Sequence, residues 1–282
     1  MNKILLLGGI SEAKQLAHSL WLNKIAFTYS IQGNVRIPEE PYDVHTGGFA
    51  QYAPPDSVEN PGIAGLVHYI RNNHITMIAD CTHPYAKDIS HNAKTVANLT
   101  DITYRQYYRP SWDVEALPRS TQELAALQIQ EFNTIESIVD AVQPYSHTFW
   151  AMGLKSLPAL VEEKLTRQNK QQWTIRTAAK GKSDTLLEKT ASIQSLQQIG
   201  PFSFDHEVAL FTKLGVDALV CKNSGSPANE SKLHAAAILG IPVLLLKRPD
   251  KPAGIHTFSS IESLLGEIMT CTETQLITKA HT

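Results

Sequence analysis

The stretch that most constrains this fold comes first: Ile4-Leu5-Leu6-Leu7-Gly8-Gly9-Ile10-Ser11-Glu12-Ala13. Apolar residues run straight into a pair of glycines and a short polar segment, after which Leu16, Ala17 and Leu20 recur at helical spacing. A continuous apolar run bounded by glycine reads as a strand buried on both faces. Strand, tight turn and helix opening together point to a parallel sheet covered by helices. In such a turn the backbone comes close to a diphosphate, and the free N–H groups of the first helical turn point at it. The match to the dinucleotide fingerprint is partial. With Gly8 as first glycine, Ala13 is an allowed last position, but Ile10 replaces the middle glycine. Glu12 complements the helix macrodipole and competes with any phosphate directly over it.

Residues 25–31 form a β-branched and aromatic run, read as a second strand, which Gln32-Gly33-Asn34 closes. An acidic residue at this point would hold the ribose hydroxyls of NADH. Ser30, Gln32, Asn34 and Arg36 stand there instead and favour the 2′-phosphate of NADPH, with an ordinary polar loop as the competing reading. Residues 42–46 are a short strand candidate before Gly47-Gly48-Phe49, and residues 51–61, with Pro54, Pro55 and Pro61, read as a loop. Residues 63–69 resume a helical pattern and residues 75–79 a buried strand. That strand runs into Asp80-Cys81-Thr82-His83-Pro84-Tyr85-Ala86, a polar and aromatic cluster at a predicted strand end, where open α/β sheets bind ligands. Asp80 as a cap and His83 as a spacer before Pro84 is the structural alternative. A helix over 89–99 and a strand over 102–108 lead to Arg109-Pro110, a plausible exit from the sheet.

The second half repeats the theme. Strands are expected near 127–131, 148–153 and 173–178, and helices over 135–142, 157–165 and 205–214, the last with Asp205 as N-cap. The lysine-rich segment 180–189 reads as a solvated loop and helix start. Ala218-Leu219-Val220-Cys221 is a buried strand ending in Lys222-Asn223-Ser224-Gly225, followed by a helix that carries Lys232. A lysine, an amide, a hydroxyl and exposed N–H groups together could grip a carboxylate or phosphate, and a lysine at a buried strand end is costly unless it meets an anion. A polar turn is the plainer alternative. Residues 241–246 make the last strong strand, closing in Arg248-Pro249 as the first half closes in Arg109-Pro110, and one helix is expected over 261–269. Two similar α/β domains facing each other, 1–110 and 111–282, follow as the simplest architecture, with the last helix able to pack on either; which of them takes a cofactor and which a substrate is not read from the pattern.

Composition excludes other classes. The chain has 282 residues and a formal net charge of -2, so no global basic field favours nucleic acid or an anionic membrane. Its 3 cysteines stand far apart, without a CxxC pair, and suggest neither disulfides nor zinc. No apolar run reaches the roughly 20 residues that span a bilayer, and no signal peptide is recognised at the start. The expectation is a cytoplasmic protein, a monomer or weak homo-oligomer. No nucleophile elbow, H-E-x-x-H or paired-carboxylate signature appears, so a cofactor would have to supply the chemistry.

Taken together and in order, several segments resemble the precorrin-6A reductase family of corrin-ring biosynthesis, including its cobalt-dependent members. They are Leu7-Gly8-Gly9-Ile10-Ser11-Glu12-Ala13, Gly47-Gly48-Phe49, Asp80-Cys81-Thr82-His83-Pro84-Tyr85-Ala86, Arg109-Pro110-Ser111-Trp112, Gly200-Pro201-Phe202, Lys222-Asn223-Ser224-Gly225, and Ile241-Pro242-Val243 with Arg248-Pro249. The resemblance implies two Rossmann-like parallel-sheet domains with a cleft between them. It also implies an NADPH-dependent reduction, NADH being possible, of one double bond in a polycarboxylate, tetrapyrrole-derived macrocycle. Carried over, Gly8, Gly9, Ile10, Ser11, Ser30, Gln32, Arg36, Gly48 and Thr82 would hold the cofactor. His83, Tyr85, Arg109, Lys222, Asn223, Ser224, Gly225 and Lys232 would meet substrate, with His83 and Tyr85 the candidates nearest the chemistry and no metal involved. The chain departs from the family at Ile10, where threonine is usual, and after Ser30, where Ser-x-Ala-Gly-Arg is common. A non-catalytic nucleotide or anion sensor and a nucleotide-sugar transferase are the alternatives. Motifs kept in order through both halves favour the reductase.

Overall fold

Alternate residues of the opening strand pack into different layers, as a strand covered on both faces requires. Ile4 and Leu6 join Leu16, Ala17, Leu20, Leu264 and Ile268 on one side. Leu5 and Leu7 join Leu66, Ile70, Ala93 and Val96 on the other. The computed structural model of the chain describes residues 3–33, 41–113, 128–153, 156–166, 171–178, 192–250 and 254–280. It divides into two compact units, Met1–Pro110 with Pro249–Thr282, and Ser111–Arg248.

The first unit holds β1 (Lys3–Leu7), α1 (Ser11–Leu22), β2 (Phe27–Ile31), β3 (Asp43–Thr46), α2 (Pro61–Asn72), β4 (Ile75–Asp80), α3 (Lys87–Thr100) and β5 (Thr103–Tyr107). After the second unit the chain returns as β12 (Thr257–Phe258) and α8 (Ile261–Ala280). The sheet order is β12-β5-β4-β1-β2-β3, and every pair is parallel. The direction of winding reverses between β1 and β4, so their carboxyl ends, Leu7 and Asp80, stand side by side.

The second unit holds β6 (Ile129–Phe132), α4 (Ile135–Ala141), β7 (His147–Ala151), α5 (Leu157–Thr166), β8 (Gln172–Thr177), β9 (Ile193–Gln197), α6 (Phe204–Leu214), β10 (Ala218–Lys222), α7 (Ser231–Ile238) and β11 (Val243–Leu246). Its sheet, also parallel throughout, runs β6-β11-β10-β7-β8-β9 and reverses between β7 and β10. Phe149, Leu219, Cys221, Val243 and Leu245 share one core with Phe211 of α6 and with Leu233 and Ala236 of α7.

Local features differ from the sequence expectations in identifiable ways. Residues 249–282, grouped above with the second domain, lie in the first unit because β12 pairs with β5 and α8 packs on α1 and β5. The final helix runs to Ala280, well past residue 269. The cap of α6 is Ser203, whose side chain accepts from the His206 N–H, while Asp205 lies within the first turn. In the proline-rich loop, Phe49–Tyr52 forms one 3-10 turn. Helix α2 crosses it so closely that a Cβ on Gly65 would lie 1.9 Å from the Phe49 carbonyl oxygen. Strand β9 was not anticipated, because Ile193-Gln194-Ser195-Leu196-Gln197 is an edge strand of mostly polar residues. Arg36, Asn34 and the lysine-rich segment 180–189 lie outside the described residues.

Candidate active site

The Gly8-Gly9 turn and the Thr82-His83 segment, more than seventy residues apart in the chain, meet at the reversal point of the first sheet. The Cys81 N–H donates to the Leu7 carbonyl at 2.8 Å, and the Gly8 N–H donates to the Ser30 carbonyl at 2.8 Å. Gly8 lies over Tyr29, and a Cβ there would come within 2.5 Å of the buried ring. Gly9 has φ 138, in the region that favours glycine, and a Cβ on it would have nothing within 4 Å. Helix α1 opens with Ile10 as N-cap and no side-chain capping bond. The Ile10 side chain is instead buried in the core. The turn therefore presents open space beside Gly9 and a helix start whose N–H groups no cap side chain occupies, the geometry that receives a diphosphate.

Glu12 sits in this first helical turn, and Arg109 neutralises it. The Arg109 Nε donates to Oε1 at 2.5 Å, a terminal nitrogen of the same guanidinium bonds Oε2, and the Ser11 hydroxyl adds a bond at 2.9 Å. Burial alone raises the Glu12 carboxyl, and the hydrogen bonds and charge of Arg109 outweigh it, holding the group below the usual carboxylate range. Arg109, expected to meet substrate, thus lies buried against Glu12 in the first turn of α1, beside the Gly8-Gly9 turn. It removes the negative charge that would otherwise oppose a phosphate there.

Ser30 is buried, and its hydroxyl bonds His45 Nδ1 at 2.9 Å. His45 stacks on Phe49 with centroids 4.7 Å apart, beside Tyr69 at 4.9 Å and Tyr52 at 5.6 Å. Burial lowers its pKa. Gln32 and Gly48 are exposed just beyond the ends of β2 and β3. Past β4, the buried Asp80 accepts from the Tyr104 hydroxyl at 2.7 Å and from the Thr82 N–H at 3.0 Å. The Thr82 hydroxyl pairs with Ser90 at 3.1 Å, and the rings of His83 and Tyr85 lie 5.6 Å apart, both half-buried.

In the second unit the Lys222-Asn223-Ser224-Gly225 loop is mostly engaged in holding itself. The Lys222 ammonium crosses the reversal point to donate to the Met152 carbonyl at 2.9 Å and the Ser156 hydroxyl at 3.0 Å. Two protein oxygens thus meet it at this strand end. The Asn223 amide accepts from the Trp112 N–H at 2.9 Å and donates to the Trp112 carbonyl at 3.2 Å. Its backbone carbonyl accepts from Arg248 Nε at 2.7 Å. Both ends of this unit, at Trp112 and at Arg248, are thus tied to Asn223. The Ser224 hydroxyl accepts from Asn229 at 3.1 Å, and Gly225 has φ 61. Sequence reasoning missed Arg176 and Glu207, whose buried ion pair is made by two bonds of 2.7 Å each. The available signal was an arginine inside the predicted strand 173–178, the one charged residue in that run.

Among the described residues, no group of three or more His, Cys, Asp or Glu could hold a metal ion, and no helix is long and apolar enough to cross a membrane. The family model described as precorrin-6x reductase CbiJ/CobK matches residues 3–268. The precorrin-6A reductase of Mycobacterium tuberculosis is 30% identical over 262 residues, covering 93% of this chain and 95% of that one. The Rhodococcus erythropolis precorrin-6A reductase is 29% identical over 278 residues, covering 96% and 99%. The cobalt-precorrin-6A reductase of Salmonella typhimurium is 23% identical, covering 87% of each. A solved structure of CobK precorrin-6A reductase superposes with a TM-score of 0.77 at 25% identity, over 96% of this chain and 97% of that one. With two parallel sheets, a glycine turn at a reversal point and this match along nearly its whole length, the chain belongs to the precorrin-6x reductase family.

Proposed function

We propose that the chain reduces one double bond of precorrin-6A to give precorrin-6B, with a reduced nicotinamide dinucleotide as hydride donor. Family membership supports the reaction class. The single observation that carries the cofactor is the turn at the end of β1, with open space beside Gly9 and an α1 start that has no side-chain cap. When bound, the nicotinamide supplies the hydride, so the chain needs no nucleophile of its own. Its residues have to bind, orient and exclude water.

Gly8, Gly9, Ile10 and Ser11 would hold the diphosphate through main-chain N–H groups, with Arg109 cancelling the Glu12 charge beneath it. Gln32 and Gly48, beyond β2 and β3, stand on the side where the ribose belongs in such a sheet. Ser30 would act there through its carbonyl bond to the Gly8 N–H, since its hydroxyl is held by His45. Thr82, His83 and Tyr85 line the opposite side of the turn and would face the nicotinamide and substrate. NADPH is the preferred donor in this reading. The test mixes protein, precorrin-6A and either NADPH or NADH and follows the loss of reduced-nicotinamide absorbance. Faster oxidation of NADPH is expected, and no oxidation of either donor would overturn the function.

A further inference from the structure

At the carboxyl end of the second sheet the described residues include three cations, Arg176, Lys222 and Lys232, which differ in what meets them. Arg176, next to last in β8, and Glu207, in the first turn of α6, are 7% and 2% exposed and neutralise one another through two bonds. The guanidinium also lies between Phe202, 4.1 Å from the ring centroid, and Phe149, at 4.8 Å. Lys222 is met by Met152 and Ser156.

Lys232 is different. It is the second residue of α7 and only 7% exposed, yet among the described residues no acceptor is hydrogen-bonded to its ammonium. Its ammonium lies 5.9 Å from the centroid of the Trp112 ring, at the outer limit of a cation–π interaction. Glu207 is the carboxylate whose charge reaches it, and Arg176 already satisfies that carboxylate while repelling Lys232. The Cys221 thiol nearby is pushed up to about 11 by burial and carries no charge at neutral pH. Two independent effects therefore oppose a cation here. Burial strips its water, and the first turn of a helix is the end at which the macrodipole disfavours positive charge. The same two features make the position receptive to an incoming anion.

We propose that Lys232 is the receptor for one carboxylate of the macrocyclic substrate. This rests on the reductase reading above, which makes the substrate a polycarboxylate. Lys222 and Asn223, by contrast, serve the fold of the loop beside it. A receptor that waits with an uncompensated charge lowers the stability of the free protein and gains from the ligand.

The test is Lys232→Met in the full chain, with Lys232→Gln as a second variant. The expected result has two parts. The thermal midpoint without ligand stays equal or rises, and the KM for precorrin-6A rises about tenfold or more, the loss of one charge-assisted bond, with the KM for NADPH unchanged. A lowered midpoint with an unchanged KM for precorrin-6A, or failure of both variants to fold, overturns the proposal and makes Lys232 a structural counter-ion. If the unmodified protein oxidises no cofactor with precorrin-6A, the reductase reading fails, and the receptor is judged by binding of uroporphyrin III. Binding lost in Lys232→Met supports it, and equal or absent binding in both proteins overturns it.

Discussion

The Arg176–Glu207 pair offers the sharpest test of how the second unit is held together. Both groups are almost wholly buried and joined by two parallel bonds. Removing one partner leaves the other as an uncompensated buried charge, which costs roughly 3–5 kcal/mol. The two sides are not equivalent. In Arg176→Met, Lys232 remains as a cation acting on Glu207, so the loss should fall at the lower end, about 3 kcal/mol. In Glu207→Gln, Arg176 and Lys232 are left facing each other without a carboxylate, and the loss should approach about 5 kcal/mol. Replacing both, as Arg176→Met with Glu207→Leu, removes the charges together and should land within about 1 kcal/mol of the starting protein. The cycle therefore predicts strong non-additivity. Urea unfolding followed by tryptophan fluorescence suits the measurement. Trp150 and Trp173 are fully buried with rings 4.6 Å apart in the second unit, which also holds Trp112 at 6% exposure, whereas Trp21 of the first unit is 40% exposed. Midpoints should move at constant slope. Single variants each costing under about 1 kcal/mol, or a double variant equal to their sum, would refute the reasoning.

Two further outcomes concern the first unit. Gly8→Ala places a methyl 2.5 Å from the buried Tyr29 ring, and it should destabilise by about 1–3 kcal/mol and weaken nicotinamide binding; an unchanged midpoint and unchanged cofactor KM would count against the assigned role of the turn. His45, caged by Phe49, Tyr52, Tyr69 and Ser30, has its pKa lowered by burial, so the unfolded chain takes up a proton that the fold resists. Stability should be level above the ordinary histidine range and fall as pH drops through it towards the lowered native value, and His45→Phe should flatten that fall. A pH profile identical in the variant would show that another group carries it.

Much of the architecture was legible in the chain. Apolar runs of strand length, each ending in glycine, proline or polar residues, established parallel α/β units, because only strands covered on both faces need such runs. The Gly8-Gly9 turn was readable for the same local reason: a close backbone approach tolerates no side chain. The pairing of that turn with Thr82-His83 depended on strand order, which periodicity does not encode. The return of residues 257–280 to the first unit likewise rests on pairing across more than a hundred residues. The fate of the charged groups was a tertiary matter altogether. Arg109, Lys222 and Asn223 are all polar residues at strand ends and look alike in the sequence. One neutralises Glu12, one meets a carbonyl and a hydroxyl, and one ties down the Trp112 backbone. Lys232, in the first turn of a helix, has no hydrogen-bonded acceptor on its ammonium among the described residues. Whether a buried charge is structural or receptive depends on which acceptors lie within about 3 Å of it, and those are assembled only when the two halves of each sheet close on one another.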